Sequence, residues 1–401
     1  MARTDEFIRD VERYSANNYH PLPIVIEKGE GVWVTDVEGK KYLDMLSAYS
    51  ALNQGHRHPK IIGALMDQAQ KVTLTSRAFH NETMGGFLKT LCQMSGFDKA
   101  LPMNTGAEAV ETALKAARKW GLVKKGVPEN QGEIIVCENN FHGRTVTIVS
   151  FSTEAQYRYG FGPFTPGFVS VPFGDAEALE KAITENTVAI LAEPIQGEGG
   201  VLVPPVGYLA QMRELATRHN VLMMLDEIQT GLGRTGKLFA YQYEDAKPDV
   251  LLLGKALGGG VYPVSAMLAS DGVMDVFGPG DHGSTFGGNP LGSAVGLAAL
   301  EVLEDENLVQ QAYTLGQHFM AGLKAIDSPL IKEVRGKGLL IGVEIKHEYG
   351  KARPFCERLM ELGILCKETH EYTIRFAPPL TITKEQIDWA LERIAKVLTE
   401  A

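Results

Sequence analysis

Three apolar runs, "VAILAEPI" (188–195), "VLMMLD" (221–226) and "DVLLLG" (249–254), constrain the fold of this 401-residue chain more than any other feature. None alternates polar with apolar residues, so none has a side that faces water. Runs of this kind belong to strands buried on both faces, and such a sheet needs helices over each face. The intervening sequence supplies them: "IIGALMDQAQ" and "YLAQMRELATRHN" read as helices, and "EIIVC" (133–137) adds a further strand. The alternation predicts an α/β fold with a mostly parallel sheet flanked by helices.

The ends of the chain read differently. Residues 1–50 form an arm and a short hairpin, with three apolar runs separated by Gly29-Glu30-Gly31 and Glu38-Gly39. Residues 51–290 hold the large domain. Residues 291–401 continue the stretch from Gly288 to Ile326, which lacks strand patterning and reads as one long linking helix. They then supply a smaller α/β unit, with strands in "GLLIGVEI" and "YTIRFAPP" and a closing helix in "KEQIDWALERIAKVL". No linker composition separates the parts, so they are expected to pack closely.

Charge narrows the partners. With 39 basic and 49 acidic residues the net charge is −10, and no basic run is present to attract nucleic acid or an anionic membrane. No apolar stretch approaches the roughly 18–20 residues of a membrane span. The start "MARTDEFIRD" has no apolar leader segment, and Cys92, Cys137, Cys356 and Cys366 lack disulfide or metal spacing. A cytoplasmic protein with no metal site is the expectation.

Against this background Lys255, in "VLLLGKALGGGVYPV", is conspicuous: a lone cation among apolar residues and glycines at the end of a buried strand. A lysine at a strand end ordinarily faces water. A nucleotide P-loop is excluded, because Ala256 stands where Ser or Thr is required. The remaining chemistry is a Schiff base with pyridoxal phosphate, since desolvation lowers an amine's pKa and makes it nucleophilic. That cofactor needs a carboxylate for its pyridine nitrogen. Asp226 ends the strand "VLMMLD", although it would equally serve as a cap for the next turn. The phosphate needs backbone N–H groups at a helix start. Thr105, Gly106 and Ala107 open a strong helix, where Thr105 and Glu108 also read as a capping box competing for the same amides. "ENNFHGRT" places Phe141 and Arg144 beside a glycine, as ring lid and carboxylate-binding cation. Alone that segment is weak, because such an aromatic is more often core.

Taken together, "LPMNTGAEA", "FHGRT", "AEPIQGEGG", "LDEIQTGLGRTG", "LLGKALGGGVYPVSA", "HGSTFGGNPL" and "RGKGLL" resemble the class-III (ω-amino acid) aminotransferases of pyridoxal-phosphate fold type I. The resemblance spans residues 14 to 398. Within the class, "LTSRAFHN", "GFGPFTPGF" and "IRFAPPLTI" are most similar to the ornithine-specific members. The resemblance implies that Lys255 carries the cofactor, Asp226 pairs with its ring nitrogen, Gln229 bonds its ring hydroxyl, and Phe141 stacks on the ring. His142 stands beside Phe141 where some relatives have tryptophan. Gly106 and Ala107 would donate amides to the phosphate, and Ser284 and Thr285 would reach it from a second subunit, making a homodimer or a dimer of dimers. Tyr19, Tyr49 and Arg144 would bind L-ornithine, though packing is the usual fate of such tyrosines. Arg375 would bind 2-oxoglutarate, masked by Glu198 until that acid arrives. An acetylornithine or broader ω-amino acid aminotransferase is the nearest alternative, and an aminomutase, a decarboxylase or a non-catalytic relative is more distant.

Overall fold

The structure, a computed structural model, describes residues 3–400. Seven strands form its central sheet: β1 (Lys99–Met103), β2 (Glu133–Cys137), β3 (Phe168–Val171), β4 (Thr187–Ala192), β5 (Leu222–Asp226), β6 (Val250–Leu253) and β7 (Ser265–Ala269). Their order is β1-β7-β6-β5-β4-β2-β3. Strands β2 to β6 are mutually parallel, and β7 runs antiparallel to both β6 and β1. The reversal follows from chain length. Residues 254–264 are too few for a crossover helix, and left-handed Gly259 and Gly260 turn the chain back instead.

Every residue of β4, β5 and β6 is buried, as uninterrupted apolar runs require. Alternate side chains feed two cores. Met223, Leu225, Leu251 and Leu253 face one, and Leu222, Met224, Val250 and Leu252 face the other. The helix Gly106–Trp120 covers the second core with Ala109, Val110, Ala113, Leu114 and Ala117. Burying a leucine-sized side chain contributes about 1.5–3 kcal/mol, so these two layers fix which edge of the sheet is free for chemistry.

The termini share their sheets. Strands Ile26–Glu30, Trp33–Asp36 and Lys41–Asp44 form a meander, whose last strand pairs in parallel with Ile364–Leu365. The short hairpin expected there is therefore three strands, preceded by a helix over Arg3–Tyr14 that the sequence reading did not resolve. A second small sheet joins Ile331–Lys337, Leu340–Ile345, Thr373–Phe376 and Lys367–Thr369, all antiparallel. The single linking helix is also corrected: it is two helices, Pro290–Asp305 and Leu308–Lys324. The break lies at Asn307, whose φ of 51° is left-handed. Asparagine tolerates that conformation, and the acidic run Glu304-Asp305-Glu306 crowds like charge at a helix C-terminus, where it is unfavourable.

Residues Ser47, Ala48, Tyr49 and Ser50 all have positive φ, between 46° and 69°. Asp44 Oδ1 anchors the turn by accepting from the amides of Leu46 (2.9 Å) and Ser47 (2.8 Å). L-residues meet a cost of roughly 1–2 kcal/mol each in this region, whereas glycine does not. Ala48 is exposed, so Ala48→Gly should raise unfolding free energy by about 0.5–1 kcal/mol after the glycine's larger entropy loss. Denaturant unfolding measures it; destabilisation would show that the turn carries no such strain.

Candidate active site

The C-terminal ends of the parallel strands converge on one edge of the sheet, where ligands bind in open α/β folds. Asp226 is the last residue of β5 and pairs in register with Leu252 of β6. Lys255 follows three positions later with a left-handed φ of 45°. A strained non-glycine residue at this edge is a mark of function. The Lys255 side chain reaches a cavity of about 1090 Å³ whose lining includes Tyr19, Tyr49, Phe141, Arg144 and Glu198. Burial holds the lysine below the ordinary amine range, and nearby Arg375 acts in the same sense against Glu198, Asp226 and Glu193.

Beside the lysine lies a buried carboxylate–imidazole pair. Asp226 Oδ2 is 2.7 Å from His142 Nδ1, and Asp226 Oδ1 accepts from the Ile228 amide at 3.0 Å. The ring's other nitrogen, Nε2, is buried with no partner among the described residues. Burial disfavours a charged imidazole, but the bond to Asp226 and the charges of Asp226 and Glu193 outweigh it and raise the His142 pKa. Glu193, just past β4, accepts from the amides of Phe141 (3.0 Å) and Gly197 (3.3 Å). Burial raises its pKa to about 7.

A second charged group closes the other side. Arg375 Nη1 donates to Glu198 Oε1 at 2.6 Å and to Gln229 Oε1 at 3.2 Å. Its Nε and Nη2 are buried without partners among the described residues, and its Cζ lies 4.9 Å from the centre of the Tyr49 ring. Burial raises the Glu198 pKa, but Arg375 and then Lys255 bring it below the ordinary value. A Cβ on Gly197 would fall 2.4 Å from Gln229 Oε1, so the glycine leaves the Gln229 amide its present place.

The helix start at 106 resolves the competition for its amides. Thr105 Oγ1 accepts from the Glu108 amide at 3.3 Å, and Glu108 Oε2 accepts from the Thr105 amide at 2.7 Å. The box leaves the first-turn amides of Gly106 and Ala107 without a protein acceptor among the described residues. Neighbouring loops press on this helix start: a Cβ on Gly106 would lie 3.0 Å from Ile228 Cδ1, and one on Gly143 would lie 2.9 Å from Ala107 Cβ. Ser284 and Thr285 sit outside the cavity. Ser284 Oγ accepts from Asn104 Nδ2 at 2.8 Å, and Thr285 is exposed. An amine in a cavity, a buried carboxylate and free amides at a helix start fit pyridoxal phosphate, and a guanidinium with two unused nitrogens fits a carboxylate substrate.

Several supporting residues escaped the sequence reading. Thr369 Oγ1 donates to the Glu198 carbonyl at 2.6 Å, and Arg335 Nη2 donates to the Gly200 carbonyl at 2.7 Å. Both tie the Glu198 loop to the small antiparallel sheet. Arg335 lies in "RGKGLL" and Glu193 in "AEPIQGEGG", so those segments carried a signal; Thr369 had none.

Glu193 gives a pH prediction. Its pKa is raised from 4.5 in the unfolded chain to about 7 in the fold. Its contribution to stability is thus complete at low pH and is lost as pH rises through about 7. Glu193→Gln cannot ionise, so the melting temperature of the variant minus that of wild type should climb between about pH 5 and about pH 8. A flat difference across that window would show that Glu193 is ionised throughout.

Residues 14–398 match the aminotransferase class-III family. An ornithine aminotransferase of Brevibacillus brevis is 62% identical over 398 residues, 99% of each chain. The crystal structure of the ornithine aminotransferase from Toxoplasma gondii ME49 is 46% identical and aligns with a TM-score of 0.98 over 99% of this chain and 95% of that one. An acetylornithine aminotransferase from Elizabethkingia anophelis is 49% identical, with a TM-score of 0.90 over the whole of both chains. The likeness runs through both terminal segments as well as the central sheet, and the chain belongs to the class-III aminotransferases.

Proposed function

We propose that the protein transfers the δ-amino group of L-ornithine to 2-oxoglutarate, giving L-glutamate 5-semialdehyde and L-glutamate in two alternating half-reactions. The observation that carries this reading is the Arg375–Glu198 pair, 2.6 Å apart beside Lys255 and under Tyr49. An unpaired buried arginine would draw any α-amino acid in by its α-carboxylate and present the α-amine. Paired with Glu198 it is neutralised, and ornithine is left to bind by another carboxylate anchor, Arg144, with its δ-amine inward. 2-Oxoglutarate competes differently: its carboxylate displaces Glu198 and meets the guanidinium edge, including the two unused nitrogens.

Pyridoxal phosphate, the cofactor of this family, supplies a carbonyl for the amine and an electron-withdrawing ring. Lys255, Asp226 with His142, Phe141 and Gln229 would hold its ring end. Thr105, Gly106 and Ala107 would hold its phosphate, with Ser284 and Thr285 contributed by a second copy of the chain in a homodimer or a dimer of dimers. The 2.7 Å contact of His142 Nδ1 with Asp226 Oδ2 would orient the Asp226 side chain for the ring nitrogen. Lys255 Nζ, whose pKa burial lowers, would take the proton from Cδ of bound ornithine. Among the described residues no helix is long and apolar enough to cross a membrane, and we place the chemistry in the reducing cytoplasm.

A second reading, N-acetylornithine as donor, is favoured by the 49% identity to the Elizabethkingia anophelis protein. A donor panel with 2-oxoglutarate decides: ornithine should be turned over well ahead of N-acetylornithine, and the reverse order would overturn the first reading. Lys255→Ala should lose multi-turnover activity by several orders of magnitude, and near-normal turnover would exclude the lysine as the reacting amine.

The pair itself is tested by half-reactions. Arg375→Lys replaces a fork with a point charge, so the 2-oxoglutarate half should slow roughly 10-fold or more while the ornithine half changes little. Glu198→Ala should raise reaction of glutamate's α-amine relative to ornithine. Equal damage to both halves in Arg375→Lys, or an unchanged glutamate-to-ornithine ratio in Glu198→Ala, would remove the masking role. Tyr49→Ile should lower ornithine efficiency relative to γ-aminobutyrate-like donors; an unchanged donor profile would make Tyr49 a packing residue.

A further inference from the structure

Arg144 differs from the other cations of the cavity. Arg375 is paired with Glu198 and Lys255 lies among carboxylates, whereas Arg144 is exposed and forms no ion pair among the described residues. What holds it is aromatic. Its Cζ lies 3.9 Å from the centre of the Tyr157 ring and 5.6 Å from that of Phe141. The two rings meet edge to face, 6.0 Å apart at 77°. Tyr157 sits on the short helix Ala155–Arg158, is half-buried, and lines the same cavity.

The mode of contact matters. The five N–H donors of a guanidinium lie in its plane, so a ring against its face leaves the donor edge free, whereas a carboxylate partner would have occupied that edge. An arginine in open solvent has rotamer entropy to lose when it grips a ligand. A stacked arginine has already lost part of it. Tyr157 thus restrains the long side chain by its ring while leaving most of the five donors for a substrate carboxylate.

We propose that Tyr157 is a positioning residue that sets the preference for amino donors bearing a carboxylate, by holding Arg144 with its donor edge open. The inference rests on the reading that Arg144 receives the α-carboxylate of the donor. It needs the face of the ring and not the hydroxyl.

The test uses the holoenzyme with saturating 2-oxoglutarate and two donors, L-ornithine and 1,4-diaminobutane, which is ornithine without its carboxylate. In Tyr157→Ala the KM for ornithine should rise about 3- to 10-fold, the size of a cation–π contact, with kcat within about twofold of wild type. Efficiency with the diamine should hold, and so should the KM for 2-oxoglutarate. Tyr157→Phe, which keeps the ring face, should recover most of the loss. A merely structural tyrosine would depress both donors together, and that outcome, or an unchanged KM for ornithine, overturns the proposal. Arg144→Gln separates the two layers of the argument. If it abolishes the preference for ornithine over the diamine while Tyr157→Ala does not, the role of Tyr157 fails alone. If Arg144→Gln keeps the preference, the carboxylate reading fails and the inference falls with it.

Discussion

The parallel pairing of β5 with β6 is the constraint on which the rest of the site depends. It sets Asp226 opposite Leu252 and brings Lys255 out three residues further along the same edge. Both strands are apolar at every position except that terminal aspartate, so a one-residue slip would turn each side chain toward the wrong core. The register is therefore held by eight buried apolar residues and not by the polar groups it delivers. A carboxylate and an amine that would be costly to bury alone are carried to the edge by strands whose own burial is strongly favourable.

Among the described residues, two of the charged or polar groups there keep unpaired nitrogens, His142 and Arg375. Asp226 leans on His142, whose second nitrogen is unpartnered, and Glu198 takes only part of the donor fork of Arg375. A buried ion pair adds little to stability once desolvation is counted, and one with unused donors adds less. Such incomplete pairing is unfavourable for folding and useful for binding. Those same vacant positions are what an incoming carboxylate or ring would complete.

Precision at this edge comes from far parts of the chain. Arg234, fully buried and without a carboxylate partner, donates to the Asn53 side chain (2.6 Å) and to the carbonyls of Leu339 (3.0 Å) and Pro378 (2.5 Å). It thereby joins the N-terminal segment and both flanks of the small antiparallel sheet to the loop that follows Asp226. Burial lowers its pKa to about 9, with Arg375 acting in the same sense against Asp44. The same sheet carries Arg375 and, through Thr369 and Arg335, fixes the carbonyls of the Glu198 loop. Glu198 and Arg375 are thus held between the loop that follows β4 and the small antiparallel sheet.

Local pattern determined a good deal. Continuous apolar runs are read directly as doubly buried strands, and β2, β5 and β6 begin and end within a residue of those runs. Lys255 and Asp226 were legible because each is a charge at the end of such a run, where chemistry is the economical explanation. The capping box at Thr105 was legible too, but which amides it leaves open depends on where the Glu108 side chain turns. What tertiary structure alone decided falls into two kinds. One is backbone conformation that propensity disfavours, as in the left-handed turn at 47–50, where residues that are not glycine take positive φ around the Asp44 carboxylate. The other is contact between residues remote in sequence: Arg375 against Glu198, His142 against Asp226 and Arg335 against Gly200. Hydropathy and spacing encode which face a residue takes along its own element. They carry no term for the partner that chain closure brings opposite it, and that partner is what turns a charged side chain into part of a site.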